Sequence, residues 1–294
     1  MYKSLADAIR DAEARGVPLS TVALDAEAAD GGRTIDDIRS TLGRALNIMR
    51  GAIAQGESGD LRSASGLVGG DAAKMINGPA GPLSGTLFRD VLMRALAVQE
   101  VNAAMGVIVA APTAGGAGVL PAVLTGIARD RNIPDADVIS ALATAGLIGA
   151  VVAERASLSG AEGGCQAETG AAAGMAAGAA VEMLGGTPTQ VGHATALAQQ
   201  GTLGLVCDPL GGLVELPCVF RNATGAAIAL AAIEMAMAGV TFAIPVDEVI
   251  DTMGEIGKEM DVRYRETAGG GLAATPTGRR LAKERLVQIK RADG

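Results

Sequence analysis

The sequence predicts an all-α protein, an Ala/Gly-rich helical domain whose irregular loops carry the chemistry. Three observations predict it. Almost no stretch alternates apolar and polar residues as a half-buried strand does, whereas apolar stripes at helical spacing recur between capping residues. Hydrophobic residues make up 49% of the 294 residues but aromatics only 2%, with no Trp, so Ala, Val, Leu, Ile and Met must fill the core. Glycine, at 42 residues, is about twice as frequent as its usual ~7%. Together with alanine it lets helices pack backbone against backbone.

Residues 1–62 read as a charged, helical N-terminal arm, with 17 charged residues in the first 60. Within it, residues 34–50 form an amphipathic helix. Thr34 is its N-cap, Asp37 follows three residues on as in a capping box, and Ile35, Ile38, Leu42, Leu46 and Met49 share one stripe. Residues 56–83, rich in Gly, Ser and Pro, read as a long loop holding one short helix. Residues 63–294 are the second unit, or continue one domain with the arm. Residues 101–233 hold only 13 charged residues and read as the buried centre. The helices expected are at about 84–106, 119–131, 134–156, 165–185, 187–201 and 222–239. Ser84 serves as an N-cap, Pro134-Asp135 opens the third, Gly185-Gly186 closes the fourth and Thr187-Pro188 opens the fifth. Residues 107–111 suit either a strand or a helix end. A helix over 245–259, a glycine loop at 269–271 and a last helix from Pro276 complete the chain.

The net charge of −8 and a pI near 4.8 argue against a nucleic-acid partner, which needs a basic face. The one basic run, Arg279 to Arg291, reads as a solvated helix face. Residues 101–128 carry no charge and are long enough to span a bilayer, but Asn102, Pro112, Thr113, Pro121 and five glycines break the run, so no membrane is expected. The first residues show no basic-then-apolar signal pattern, which leads to the expectation of a cytoplasmic protein. Three cysteines cannot pair evenly, so metal ligation outranks a disulfide framework.

Those cysteines are Cys165, Cys207 and Cys218, each beside Gly, Pro or a carboxylate. Gly163-Gly164 places Cys165 at a helix N-terminus, where the dipole favours an anionic thiolate. Cys207-Asp-Pro and Leu-Pro217-Cys218 are proline-fixed loop positions that can converge without distorting a helix. Three readings compete. The thiols are small packed apolar groups; or they bind zinc with His193, the only histidine, which equally suits a packed role; or cluster-binding loops hold an iron–sulfur cubane with one open iron, a Lewis acid for a hydroxyl or carboxylate. A second loop, Ala111 to Gly118, precedes a helix, and its N–H groups suit a carboxylate or phosphate. It is neither a P-loop nor a dinucleotide fingerprint, and a tight helix–helix turn explains it equally well.

Four runs carry a resemblance: AVQEVNAAMGVIVAAPTAGGAGVLPAVL (97–124), SLSGAEGGCQAE (157–168), GLVCDPLGGLVELPCVFRNATGA (204–226) and RETAGGGLAATPTG (265–278). In register over residues 10–280, they resemble the iron–sulfur-dependent L-serine dehydratase (L-serine ammonia-lyase) family, alpha chain. The resemblance implies an all-helical fold, and a 4Fe-4S cluster held by Cys165, Cys207 and Cys218, without pyridoxal phosphate. It implies conversion of L-serine to pyruvate and ammonia, with the open iron polarising the substrate hydroxyl. Single-chain members carry a beta domain with a Ser-Ser-Ser-His-Thr-type motif that this sequence lacks. A separate beta chain and an oligomeric enzyme are therefore expected, with the general base supplied by the beta chain. Glu100 and Asn102, a Glu-x-Asn shared with the family, become catalytic candidates. Thr113 and the N–H groups of Ala114 and Gly115 become candidates for holding the substrate carboxylate, and Arg221 and Asn222 for neutralising it or steadying the cluster. The chain departs from the family at Gln200-Gly201-Thr202, where Lys-Asn is common. A non-catalytic iron–sulfur scaffold or sensor, and a dehydratase of another beta-hydroxy amino acid, are the alternatives.

Overall fold

Capping residues and glycines divide the chain into helices close to where the sequence marks them. The structure, a computed structural model, describes residues 2–79 and 85–292, with side chains as far as Arg285. Among the described residues are thirteen α-helices, a π-turn and short 3-10 turns, with no strand. They are α1 (Leu5–Arg15), α2 (Leu19–Gly31), α3 (Ile35–Glu57), α4 (Asp71–Asn77), α5 (Thr86–Ala103), α6 (Val119–Arg131), α7 (Asp135–Arg155), α8 (Gly160–Gly163), α9 (Ala171–Met183), α10 (Pro188–Gln200), α11 (Cys218–Met237), α12 (Val246–Glu259) and α13 (Pro276–Ala292). The all-α expectation holds.

The local signals act as expected. Thr34 and Asp37 form a reciprocal capping box on α3, and Thr187 and Gln190 do the same on α10 with Pro188 in its first turn. The short helix expected in the 56–83 loop is α4. Three details differ. The arm holds two further helices, α1 and α2, of which α1 is capped by Ser4 accepting from the Asp7 N–H. Residues 107–110 are neither strand nor helix. Cys218 opens α11 instead of lying in the loop before it, because Pro217 can stand ahead of a helix but not inside one. Ser84, expected as an N-cap, lies outside the described residues; α5 starts after Gly85.

α9 is the centre of the fold. Every residue from Ala171 to Val181 is buried, and α6, α7, α10 and α11 pack around it. One apolar core runs from Leu5 to Met253, with residues on both sides of position 62 contributing. Close approach replaces bulk. A Cβ at Gly56 on α3 would lie 2.5 Å from Ala97 Cα on α5. α7 and α11 are long and apolar enough to cross a membrane, but 56% and 44% of their apolar windows are buried within the fold.

Carboxylates tie the helices across this core. Asp247 on α12 accepts from Ser4 Oγ (2.6 Å) and the N–H groups of Leu5 (2.9 Å) and Ala6 (3.3 Å), holding the start of α1. Glu182 on α9 accepts from the Ser20 N–H at 3.1 Å and from Thr144 Oγ1 at 2.9 Å, holding the start of α2. Glu100 on α5, fully buried, accepts from the N–H groups of Asp71 (2.5 Å) and Ala72 (3.3 Å) at the start of α4. Each carboxylate satisfies helix N–H groups that have no intrahelical partner.

Burial raises the Glu100 pKa above its ordinary 4.5, against the lowering effect of the N–H donors. The folded chain therefore holds this proton more tightly than the unfolded chain. The stability that Glu100 contributes falls as pH rises from its unfolded value through its folded one. Glu100→Gln, which cannot ionise, should gain stability relative to the parent between pH 5 and pH 8 in urea titrations. An unchanged difference at both pH values would contradict the assignment.

Candidate active site

The three cysteines come from three separate places in the fold. Cys165 stands at the head of the π-turn that runs into α9. Gly164 before it has φ +75°, a left-handed conformation, and a Cβ there would lie 2.8 Å from the Leu205 carbonyl oxygen, so only glycine fits. Cys207 lies in an extended segment bridged to Arg265: its N–H donates to the Tyr264 carbonyl and its carbonyl accepts from the Glu266 N–H, both at 2.8 Å. Cys218 is the first residue of α11.

All three thiols are free and buried. Burial is the main cause that raises each thiol pKa, and for Cys207 and Cys218 the neighbouring Cys165 and Glu168 push further in the same direction. Cys218 is pushed up to about 12. The thiols therefore share one electrostatic site. Among the described residues no three His, Cys, Asp or Glu side chains converge tightly enough to hold a single metal ion. Three soft thiols buried together are a donor set that fits an iron–sulfur group. His193 is on the middle turn of α10, where its Nδ1 accepts from the Phe242 N–H at 3.3 Å.

Glu168 is the carboxylate among the cysteines. In the sequence it is the last residue of the 157–168 run, with nothing that assigns it a role. It follows Cys165 by three residues, and its Oε2 lies 3.9 Å from Cys207 Sγ while its Oε1 accepts from Thr113 Oγ1 at 2.6 Å. A Cβ at Gly115 or Gly160 would lie 2.7 Å from its carboxylate oxygens, so those glycines make the space that Glu168 occupies. The signal available in the sequence was its place, one helical turn into a helix headed by a glycine-flanked cysteine.

The glycine loop is braced from behind. Gln99 Nε2 and Asn102 Nδ2 donate to the Ala114 carbonyl at 2.8 and 3.2 Å. Asn222, fully buried on α11, donates from Nδ2 to the Gly115 carbonyl (2.6 Å) and the Cys218 carbonyl (2.9 Å), and its Oδ1 accepts from the Gly118 N–H at 2.9 Å. One side chain thus fixes the loop to the residue that carries the third thiol. Carbonyls point to the braces, and the N–H groups of Ala114 and Gly115 open a 3-10 turn, where the first N–H groups lack an internal acceptor. Arg221 spans the other side: Nη1 donates to the Val206 carbonyl at 2.8 Å and Nη2 lies 2.8 Å from Asp208 Oδ1. Its charge lowers the Cys165 and Cys218 pKa values, opposing the effect of burial.

The structure therefore brings Thr113, Ala114, Gly115, Arg221 and Asn222 to the cysteines. Asn102 stands behind the loop, and Glu100 faces the start of α4 instead. At Gln200-Gly201-Thr202 the chain ends α10, with Thr202 Oγ1 donating to the Gln199 carbonyl at 2.8 Å. Asn222→Ala would leave the Gly118 N–H without its partner and the Gly115 carbonyl with the long 3.5 Å bond from Gln99 Nε2, at a cost of about 1–3 kcal/mol. The expected result is a lower urea midpoint together with faster amide exchange at Gly118. Unchanged exchange there would show that the loop is held by something else.

A family profile described as "Serine dehydratase alpha chain" matches residues 14–273. A Bacillus subtilis protein named "Probable L-serine dehydratase, alpha chain" is 48% identical over 288 residues, covering 97% of this chain and 95% of the relative. The "L-serine dehydratase, alpha chain" of Peptoniphilus asaccharolyticus is 38% identical, covering 92% of this chain and 94% of the relative. The "L-serine dehydratase" of Streptomyces coelicolor is 41% identical over 90% of this chain but only 59% of its own length. The profile covers most of the chain, and the chain belongs to the serine dehydratase alpha chain family.

Proposed function

We propose that the chain is the alpha subunit of a cytoplasmic, oligomeric L-serine dehydratase that acts with a separate beta chain and carries a 4Fe-4S cluster on Cys165, Cys207 and Cys218. The observation that carries this reading is the set of three buried, mutually interacting thiols beside Glu168 and the braced glycine loop. The alpha-chain names of the relatives, and the larger size of the Streptomyces protein, support a second chain.

When bound, the cluster would supply Lewis acidity toward the substrate hydroxyl. The chain's own residues do the remaining work on this side of the site. The N–H groups of Ala114 and Gly115 hold the substrate carboxylate, while the Thr113 hydroxyl, whose one proton goes to Glu168, acts through that side chain. Glu168, aligned by Thr113, orients the substrate against the thiols. Arg221 supplies the fixed positive charge. Asn222 and Asn102 hold the loop in place, and Glu100 steadies α5 behind it through its cap on α4. The base that takes the α-proton comes from the beta chain. Loss of that proton and of the hydroxyl as water leaves an enamine, which hydrolyses to pyruvate and ammonia.

The test is pyruvate formation from L-serine and from other beta-hydroxy amino acids, by anaerobically reconstituted chain with and without a beta chain. Turnover of L-serine is expected only with the partner. Glu168→Gln should keep the brown colour and lower kcat by about 10²-fold, the cost of a misaligned substrate. Full activity of the chain alone, or a Glu168→Gln variant with undiminished kcat, would contradict the reading.

A further inference from the structure

Behind the cysteine segment lies a second cavity of about 290 Å³, lined among others by Ser157, Glu162, Gly163, Ala167, Lys258 and Arg265. It opens between α8, α12 and the end of α7, and none of the three cysteines lines it. Its charge is unusual for a chain of net charge −8. Two cations line it against the single carboxylate of Glu162, which accepts from Ser157 Oγ at 2.6 Å. Among the described residues neither Lys258 nor Arg265 forms an ion pair. Among the described residues the buried Arg265 Nε–H has no acceptor. A buried guanidinium N–H left unpaired is costly, and a charge-assisted bond to an anion is the cheapest remedy.

Arg265 is also the residue bridged to Cys207, whose backbone is bonded to Tyr264 and Glu266 on either side of it. A ligand that fixes the guanidinium therefore steadies the segment that carries the second thiol. We propose that this cavity is an anion site for a small carboxylate or phosphate, bound between Lys258 and Arg265, whose occupancy stiffens the Cys207 segment. The site is separate from the glycine loop and does not depend on the reaction proposed above.

The test is calorimetric titration of the full chain with inorganic phosphate and, separately, with pyruvate, alongside amide exchange at Cys207 and Glu266. At least one anion should bind, and its binding should slow exchange at both amides. Binding of phosphate alone would identify a phosphate-bearing ligand, and binding of pyruvate alone a carboxylate; either supports the site. Lys258→Ala, on the exposed rim, should weaken binding about tenfold, the loss of one charge-assisted bond. Arg265→Gln should weaken it at least as much. Failure of both anions to bind, binding that Lys258→Ala leaves unchanged, or exchange at Cys207 that ignores the anion would each overturn the proposal.

Discussion

Carboxylates that reach across the core to backbone N–H groups decide how this molecule is put together. A core of Ala, Gly and short aliphatic side chains packs densely but offers few distinctive shapes, so many helix registers would bury similar area. Asp247, Glu182 and Glu100 each hold the N-terminus of a helix distant in sequence, and each would be left unpaired in a shifted register. Glu215 does the same for a loop: it accepts from Ser63 Oγ at 2.6 Å and the Ser65 N–H at 3.1 Å. An unpaired buried carboxylate costs more than a hydrogen bond adds, so these ties select one arrangement by penalising the others.

The site uses the same device where regular structure gives out. The segment from Cys207 to Cys218 contains only one short 3-10 turn, yet it must present two thiols. Asp208 is held by Arg221 and accepts from the Leu272 N–H at 2.6 Å, and Glu215 closes the other end. The glycine-rich tail after α12 thus acts as a clamp on Cys207. Glu168 belongs to this group of carboxylates, but among the described residues its hydrogen-bond donors are side chains alone, Thr113 and the more distant Cys207. That makes it available to chemistry in a way that Glu100 is not.

The sequence made the helices legible because their ends are marked locally: Thr34 with Asp37, Thr187 with Pro188 and Gly185-Gly186 each act within one turn. It made the cysteines legible because glycine and proline flank them. The start of α1 is marked locally by Ser4 with Asp7; α2 is the hidden one, because it has no side-chain cap and its start is held by Glu182, more than a hundred residues away. The same limit separates Glu100 from Glu168. Both are carboxylates next to motif residues, and only three-dimensional placement shows that one caps α4 and the other faces Cys207. Asn222 had been a candidate for contact with the substrate carboxylate or the cluster; its three bonds to the loop and to α11 show how it positions both.

The central claim is that Cys165, Cys207 and Cys218 form one site. The most direct test is iron and sulfide content after anaerobic reconstitution of the parent chain and of each single Cys→Ser variant. The account predicts roughly four irons and four sulfides per chain with thiolate-to-iron absorption, and loss of that content in all three variants. A parent chain that takes up zinc or no metal, or a variant that retains the full cluster, would contradict it.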